Sequence, residues 1–292
     1  MDIFKIFKKN KDEKTNSMQI HKKVKIGLAL GGGGVRGVGH IGALMAFEEL
    51  GIHFDYIAGT SAGSIVGALY AFGKSPKEMK ELALTLRKKD ITRGMIPFIK
   101  PANTARIENI LNSVFGDVKV FSELKIPFKA VCTDLKTGKE VDFDYGNVAK
   151  VVSASCAVPG VFTPVVYDDM HLVDGGLRNN VPADVVKNMG ANVVFAIDVN
   201  HLRGTGTKSL STVSVLSSVI GIIMQSKIDK TMEVADLIFE PALENFSPLK
   251  FDDIEEIIQI GYETVMANKD KIAKMLGLNP KRIGKYFTKN EN

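Results

Sequence analysis

Short apolar segments alternate with longer amphipathic ones along the first part of the chain. VKIGLAL, beginning at Val24, and IHFDYIAG, beginning at Ile52, have the length and apolar character of buried strands. Each leads through a glycine-containing turn into a helical pattern, and these helices end at Gly51 and Gly73. A strand–helix–strand–helix order with short connections predicts a parallel sheet with right-handed crossovers.

The rest of the chain adds hairpins and further helices. SPKEMKELALTLRKK and TARIENILNSVFG predict amphipathic helices, the first with Pro76 at its first position. IPFKAVCTDL, KTGK and EVDFDYG predict two antiparallel strands joined by a turn, and VVYDDMHLVDGG predicts a hairpin that ends at Asp174. NVAKVVSASCAVPGVF and PADVVKNMG predict helices, whereas ANVVFAIDV and ADLIFEP predict strands. The fold class is therefore α/β, a single three-layer domain with a mainly parallel central sheet flanked by helices.

The two ends of the chain differ from this central part. We predict a basic, flexible tail over residues 1–23, one domain over residues 24–268, and a helical, basic extension over residues 269–292. If the first residues of the tail form a helix, apolar and lysine side chains occupy different faces, which suits an anionic membrane surface. A frayed terminus is the alternative.

Composition narrows the classes of protein further. The 292 residues are 45% hydrophobic with a formal net charge of +5, which describes a globular chain rather than a disordered one. No basic segment is interleaved with aromatic residues, so no nucleic-acid partner is expected. The sequence contains neither a membrane-spanning stretch nor a secretory signal, which predicts a cytoplasmic protein. Cys132 and Cys156 lack metal-ligand spacing and are predicted to be small buried side chains in a reducing compartment.

The pentapeptide GTSAG, at residues 59–63, matches Gly-x-Ser-x-Gly and stands between a predicted strand and a predicted helix. A strand that turns sharply into a helix holds its serine in strained backbone angles, where neighbouring side chains would collide. Gly59 and Gly63 remove those collisions, so Ser61 is predicted to stand at the strand end with a helix N-terminus behind it. The alternative is a helix N-cap in which Thr60 or Ser61 only caps the helix.

A second glycine-rich segment, LALGGGGVRGVGH, also joins a strand to a helix. Gly32, Gly34 and Gly37 have Gly-x-Gly-x-x-Gly spacing, and Asp55 follows further along, as in a dinucleotide-binding loop. A loop of bare N–H groups beside the strand of Ser61 equally suits a single oxyanion. Small residues in the two following helices predict that these helices pack closely together.

Arg36 lies within this loop and has two interpretations. It either steadies the loop or attracts an anionic head group, or it is a solvated surface charge.

A serine hydroxyl needs a base within hydrogen-bond reach to become a good nucleophile. His40, near the glycine loop, and His201, after a predicted strand, are the histidine candidates, although His40 can instead bond to the backbone of the loop. The segment LVDGGLRNNVP offers Asp174, which ends a strand and precedes two glycines that allow close approach. An ordinary turn aspartate is the alternative for Asp174.

The motifs GGGGVRG, GTSAG and DGG, in this order, resemble those of the patatin-like phospholipase family in its small bacterial form. CTDLKTGKEVDF, SASCAVPGVFTPV and LVDGGLRNNVPADVVKNMGA also resemble family segments, so the resemblance covers roughly residues 24–268. It implies that Ser61 is the nucleophile and Asp174 the base, with no histidine. Gly33 and Gly34 would be the oxyanion N–H donors.

The resemblance also assigns the residues around this dyad. They form three groups: an oxyanion loop (Gly32, Gly33, Gly34, Val35, Arg36, Gly37), a nucleophile elbow (Gly59, Thr60, Ala62, Gly63) and the end of the third motif (Gly175, Gly176). A solvated aspartate titrates near pH ~4 and is a weak base. Apolar surroundings that raise its basicity, or a strong oxyanion loop, are therefore required.

The expected function follows from this resemblance. It implies a serine acyl hydrolase of the esterase, phospholipase A or lysophospholipase type, acting on a lipid ester or phospholipid at a membrane surface. No metal or organic cofactor is implied. The helical remainder from about Leu210 is expected to form a lid or an interaction surface. The alternatives are a catalytically quiet lipid-binding or regulatory adaptor of the same fold, and a dinucleotide-binding protein.

Overall fold

The computed structural model describes residues 24–86, 100–201, 212–225 and 233–279 of the chain. Within these ranges, eight strands form one sheet. The strands are β1 (Ile26–Leu30), β2 (Tyr56–Thr60), β3 (Phe128–Asp134), β4 (Lys139–Phe143), β5 (Val165–Tyr167), β6 (Met170–Asp174), β7 (Val193–Ile197) and β8 (Leu237–Phe239). Their order is β5-β6-β3-β2-β1-β7-β8, and β4 pairs with β3 outside this path. The five strands from β3 to β8 are parallel, whereas β4, β5 and β6 are antiparallel additions.

The helices lie between and after these strands. They are α1 (Gly39–Glu49), α2 (Ala62–Phe72), α3 (Pro76–Thr85), α4 (Ala105–Phe115), α5 (Val148–Ser155), α6 (Ala183–Asn188), α7 (Thr212–Gln225), α8 (Ile254–Ala267) and α9 (Lys269–Met275). Short 3-10 turns span Gly34–Val38, Phe121–Glu123 and Gly175–Leu177. Among the residues described, none of these helices combines the length and the apolar character needed to cross a bilayer.

Alternate residues of the central strands supply two separate cores. Leu28 of β1 and Phe195 of β7 belong to the larger core, which also contains residues of α1, α2, α5 and α8. Their strand neighbours Ala29 and Ala196 belong to the smaller core on the other face, where Val186 of α6 packs. The two-residue period of a strand thus places helices on both faces of the sheet. This confirms the predicted three-layer α/β fold with a mainly parallel sheet.

The predicted segments mostly match the observed elements. The hairpin that ends at Asp174 and the helix that begins at Pro76 are both present, the latter with a capping box between Ser75 and Glu78. The predicted tail over residues 1–23 lies outside the described residues, as do residues 280–292 of the predicted extension. The boundary at residue 268 stays a prediction, although Ile272 of α9 is fully buried in the larger core.

The prediction that the small residues of α1 and α2 pack these two helices together is wrong. A Cβ on Gly42 of α1 would overlap the carbonyl oxygen of Ile258 in α8, and a Cβ on Gly261 of α8 would overlap that of Gly39. The small residues of α2 instead face the sheet, since a Cβ on Gly67 would lie 2.8 Å from the Phe128 ring. Small residues permit close approach, but their spacing does not indicate which partner approaches.

The α1–α8 crossing should therefore be sensitive to a single methyl group. We expect Gly42→Ala to lower the free energy of unfolding by about 1–3 kcal/mol, because the backbones must move apart. Gly221→Ala, in α7, is the matched control, since nothing lies within 4 Å of its Cβ position. Urea denaturation of both variants checks this, and equal stability of the two would contradict the close contact.

Candidate active site

The candidate site begins where two strands meet end to end on one edge of β3. β4 occupies the other edge of β3 through Ala130–Asp134, so β2 and β6 share the edge that remains. β2 runs parallel to β3 and ends with Thr60 opposite Val131, while β6 runs antiparallel and ends with Asp174 opposite Cys132. Adjacent positions on β3 thus bring the carboxyl ends of β2 and β6 together. Ser61 follows the first and Asp174 closes the second.

Ser61 occupies a strained turn between β2 and α2. Its φ of 51° and ψ of −124° are unusual for a non-glycine residue, and they turn the chain sharply from strand to helix. The flanking glycines are tightly enclosed, since a Cβ on Gly59 would lie 2.5 Å from the Gly63 carbonyl oxygen and one on Gly63 would overlap that of Leu30. The geometry is that of a nucleophile elbow.

The carboxyl group of Asp174 is fully buried beside this turn. Its Oδ1 atom accepts the N–H of Gly176 at 2.8 Å, whereas Oδ2 makes no hydrogen bond of normal geometry within the described residues. Burial raises the pKa of Asp174 to about 6, although the nearby Ser61 hydroxyl and the Gly176 N–H lower it in part. The Ser61 hydroxyl is close enough to act on this pKa but makes no normal hydrogen bond to Oδ2, and such bonds often tighten only when substrate binds.

Two cysteines complete the low-polarity surroundings of Asp174. Cys132 pairs with it in the sheet, and both Cys132 and Cys156 are free and buried. Burial raises the pKa of each thiol, first by desolvation and then by the charge of Asp174, so both remain protonated. The prediction that they are buried side chains is confirmed.

The glycine loop lies against Ser61, and two of its N–H groups have no acceptor in the part of the chain that the structure describes. The N–H of Gly32 donates to the Asn180 carbonyl at 3.1 Å, and that of Val35 donates to the Pro248 carbonyl at 2.8 Å. Among the described residues, no acceptor is present for the N–H groups of Gly33 and Gly34. A Cβ on Gly32 would lie 3.0 Å from Ser61 Cβ, which places the loop beside the elbow.

Gly34 is the position in this loop where glycine is required. Its φ of 59° lies in the left-handed region, and a Cβ there would overlap the carbonyl oxygen of Pro248. Gly37 meets the elbow itself, since its Cβ position overlaps the methyl group of Ala62. The loop is therefore held between the elbow and the segment around Pro248.

Three residues that the motifs do not mark hold the elbow and the loop in register. Ser155, at the end of α5, accepts the N–H of Ser61 at 2.9 Å and donates to the Val131 carbonyl at 2.6 Å. The Thr60 hydroxyl donates to the Asn179 carbonyl at 2.8 Å. The adjacent Asn180 holds Gly32 through its carbonyl. Their sequence signal is only proximity to the motifs, in SASC and in DGGLRNN.

Arg36 is buried and bonds to segments that are distant in the sequence. It is 6% exposed, and its guanidinium donates to the Phe246 carbonyl at 2.8 Å and to Asn200 Oδ1 at 2.9 Å. Burial lowers the pKa of Arg36 from its usual value. The interpretation as a solvated surface charge is wrong, whereas a role in steadying the loop agrees with these bonds.

Both histidine candidates have contacts of their own in the structure. His40 is fully buried, and its Nε2 atom lies 2.7 Å from the Gly31 carbonyl. Desolvation lowers the pKa of His40 to about 4, so the ring is neutral and bonds to the loop backbone. His201 lies beside Glu240 and Asp198 after β7.

The dinucleotide interpretation does not fit the structure. Asp55 stands at the start of β2, where its carboxylate accepts the N–H of Ile26 at 2.9 Å. This is the amino end of the strands, whereas the glycine loop follows their carboxyl ends. The carboxylate that would bind a ribose thus lies at the opposite end of the strands from the glycine loop.

The protein is therefore an α/β protein with a strained serine, a buried carboxylate and a glycine loop together at the carboxyl ends of its central strands. The family model of the patatin-like phospholipases matches residues 28–187. Since this is more than half of the chain, the protein belongs to the patatin-like phospholipase family. The resemblance seen in the motifs is confirmed.

Several relatives are similar to this chain over part of their length. An uncharacterised NTE family protein of Mycobacterium tuberculosis is 37% identical over 60% of this chain and 49% of its own. Human patatin-like phospholipase domain-containing protein 6 is 28% identical over 82% of this chain and 20% of its own. Lysophospholipase NTE1 of Candida glabrata is 27% identical over 96% of this chain and 18% of its own. The chain thus spans about half of the mycobacterial relative and a smaller part of the others.

Two solved structures share the fold. VipD from Legionella pneumophila has a TM-score of 0.59 at 15% identity, covering 85% of this chain and 67% of that one. Human GIVD cytosolic phospholipase A2 has a TM-score of 0.51 at 11% identity, covering 88% of this chain and 60% of that one. At these identities the likeness shows the fold alone.

The buried carboxylate should destabilise the folded protein at neutral pH. Because the pKa of Asp174 rises from 3.8 unfolded to about 6 folded, the folded state holds its proton more tightly. The stability contributed by the protonated group is present at low pH and is lost as pH rises from about 4 to about 6. We expect Asp174→Asn to raise the free energy of unfolding at pH 8 by up to about 3 kcal/mol.

Denaturant unfolding at pH 8 and pH 4 tests this, with the exposed Asp117→Asn as control. The gain from Asp174→Asn should shrink toward zero at pH 4, and Asp117→Asn should change little at either pH. A variant less stable than the wild type at pH 8 would show that the carboxylate stabilises the fold.

Proposed function

We propose that the protein is a serine acyl hydrolase that cleaves lipid carboxylic esters through a Ser61–Asp174 dyad. The observation that carries this proposal is the convergence of three features at one edge of the sheet. A serine in a strained strand–helix turn lies beside a buried carboxylate, one oxygen of which has no hydrogen-bond partner among the described residues. The glycine loop reaches Ser61 at Gly32, and the N–H groups of the next two residues, Gly33 and Gly34, have no acceptor within the described part of the chain.

The geometry supports a two-step mechanism. Ser61 Oγ attacks the ester carbonyl while Asp174 takes the hydroxyl proton, and the electron pair of the carbonyl moves to its oxygen. The N–H groups of Gly33 and Gly34 stabilise that oxyanion, together with the N-terminus of α2. The tetrahedral intermediate expels the alcohol, which takes a proton from Asp174. Water, activated by Asp174, then attacks the acyl-enzyme and releases the fatty acid and the free serine.

Burial is what makes an aspartate usable as this base. A carboxylate with a pKa of about 6 is a stronger base than a solvated one, yet it is still mostly ionised at neutral pH. Oδ1 accepts the N–H of Gly176, so Oδ2 is the oxygen that takes the serine proton. The two oxygens therefore have separate tasks, one in positioning and one in proton transfer.

An exposed apolar helix face beside the site supports a lipid substrate. α7 packs next to the 3-10 turn after Asp174, where a Cβ on Gly176 would lie 3.1 Å from Met224 Cε. On its outer side Val215, Val219 and Ile222 are exposed, at spacings that place them along one stripe of the helix. A surface of this kind suits contact with acyl chains or a membrane surface.

The names of the relatives agree with this substrate class. A lysophospholipase and a patatin-like phospholipase domain-containing protein are among them, and a phospholipase A2 shares the fold. We extend the activity to this chain as a phospholipase A, lysophospholipase or esterase. Contact of the basic tail over residues 1–23 with a membrane surface is part of the same proposal.

Substitution of the dyad tests the chemistry. Ser61→Ala and Asp174→Asn should each lower kcat for acyl ester hydrolysis by about 10³-fold or more, because the nucleophile or its base is lost. The exposed Ser122→Ala and Asp117→Asn are matched controls that should retain wild-type rates. Hydrolysis of esters from short to long acyl chains, and of phospholipid and lysophospholipid vesicles, provides the measurement.

Two results would contradict the proposal. Full activity of Asp174→Asn would return the role of base to another residue. A wild type that is inert across all of these substrates would favour the adaptor function of the same fold.

The pH dependence should report the buried aspartate. Asp174 must be ionised to accept the serine proton, so kcat/KM should rise with pH through about 6 and then level off. The expected profile has one ionisation on its acid side, and the rate falls about tenfold for each pH unit well below it. A rate that remains constant down to pH 4 would show that no carboxylate with this pKa limits catalysis.

A further inference from the structure

Three ligand-type side chains converge at the carboxyl ends of β7 and β8, outside the dyad. Asp198 follows β7 and Glu240 follows β8, and these parallel strands pair Ile197 with Phe239. The N–H of Asp198 donates to the Phe239 carbonyl at 2.9 Å, which holds the two carboxylates side by side. His201 Nδ1 lies 3.2 Å from Glu240 Oε1 and 3.9 Å from Asp198 Oδ2. One ligand atom from each residue lies within 4.8 Å of the other two.

Asp198 contributes a buried oxygen that lacks a partner. The residue is 2% exposed, and its Oδ2 atom makes no hydrogen bond within the described part of the chain. Oδ1 accepts the N–H of Asn200 at 2.9 Å. The guanidinium of Arg36 acts on Asp198 through its charge, whereas its hydrogen bonds among the described residues go to Asn200 and to the carbonyls of Phe246 and Glu244. A buried, unpaired carboxylate oxygen is costly, which points to a positive partner.

The spacing of these atoms fits a shared ion better than it fits hydrogen bonds. His201 Nδ1 makes no hydrogen bond of normal geometry to either carboxylate, although Glu240 Oε1 is 3.2 Å away. Two ligands on one tetrahedral ion with bonds of about 2.0–2.2 Å stand about 3.3–3.6 Å apart, and each points at the ion rather than at the other ligand. The separations of 3.2 Å and 3.9 Å bracket this range.

We propose that Asp198, His201 and Glu240 bind one divalent transition-metal ion of the Zn²⁺ type. Imidazole combined with carboxylate favours Zn²⁺ and similar first-row ions, whereas Ca²⁺ and Mg²⁺ prefer sites made of oxygen alone. Three protein ligands leave a tetrahedral ion one position for water. The sequence predicts no such site because Glu240 reaches the other two residues only through the pairing of β7 with β8. This proposal departs from the expectation, drawn from the resemblance, that no metal is implied.

The ion would hold the segment on which the glycine loop rests. Val199 and Asn200 lie between the ligands in sequence, and a Cβ on Gly33 would lie 2.7 Å from Val199 Cγ2. Asn200 Oδ1 in turn accepts a hydrogen bond from Arg36 within the glycine loop. The bound ion therefore positions protein segments and takes no part in bond cleavage. Its binding does not depend on the hydrolase proposal.

The test measures metal binding by the full chain. The protein is stripped with a chelator, dialysed, and titrated by calorimetry with Zn²⁺ and, separately, with Mg²⁺. We expect one Zn²⁺ ion per chain, no comparable binding of Mg²⁺, and a higher Tm with Zn²⁺ present, because the ion binds the folded state.

Asp198→Asn, His201→Gln and Glu240→Gln should each weaken Zn²⁺ binding by about tenfold or more and abolish the shift in Tm. His171→Gln, an exposed histidine on β6, is the matched control and should bind as the wild type does.

Two results would overturn the proposal. One is the absence of Zn²⁺ binding by the wild type. The other is binding of equal strength in the three ligand variants, which would place the ion elsewhere, for example on the two buried thiols. The absorption spectrum of the Co²⁺-loaded wild type separates that case, since a thiolate ligand adds an intense charge-transfer band that imidazole and carboxylates lack. The side chains of His201 and Glu240 are partly exposed, whereas that of Asp198 is buried. His201→Gln therefore still tests the proposal if Asp198→Asn fails to fold.

Discussion

The site depends on how one edge of β3 is divided between two strands of opposite direction. β4 covers one edge, so β2 and β6 must lie in line on the other, and their carboxyl ends meet between Val131 and Cys132. This arrangement places a strained serine turn against the end of a buried strand. The Ser155 hydroxyl lies at this junction, where it accepts the N–H of Ser61 and donates to the Val131 carbonyl.

The features that suit this junction to the proposed chemistry also lower the stability of the folded protein. The carboxylate of Asp174 is buried away from solvent, with one oxygen unpaired within the described residues, and such a group is unfavourable in a folded protein. The positive φ of Ser61 adds backbone strain. The surroundings tolerate both because they are rigid. The glycine loop is bonded on either side, to the Asn180 carbonyl and the Pro248 carbonyl, and its two middle N–H groups have no acceptor within the described residues. Preorganised donors of this kind cost little further reorganisation when an oxyanion forms.

Sequence patterns predicted a large part of this protein and misjudged specific contacts. Strand and helix positions, the turn at Ser61 and the candidate status of Asp174 follow from local patterns of apolar residues and glycines. The packing of Gly42 was misassigned to α2, because a small residue signals close approach without naming its partner, and α8 lies far away in sequence. Arg36 is a comparable case, since its acceptors at Asn200 and Phe246 are distant in the chain.

The sequence by itself determined the order of the elements, the three motifs and the residue types available for chemistry, because each rests on near neighbours in the chain. Only the tertiary structure decided which of these residues meet. The pairing of β6 with β3 brings Asp174 to Ser61, and the pairing of β8 with β7 brings Glu240 to Asp198. Burial, which sets the basicity of Asp174 and the neutrality of His40, arises from the same long-range packing. Desolvation depends on what surrounds a group in space, and no local pattern records that.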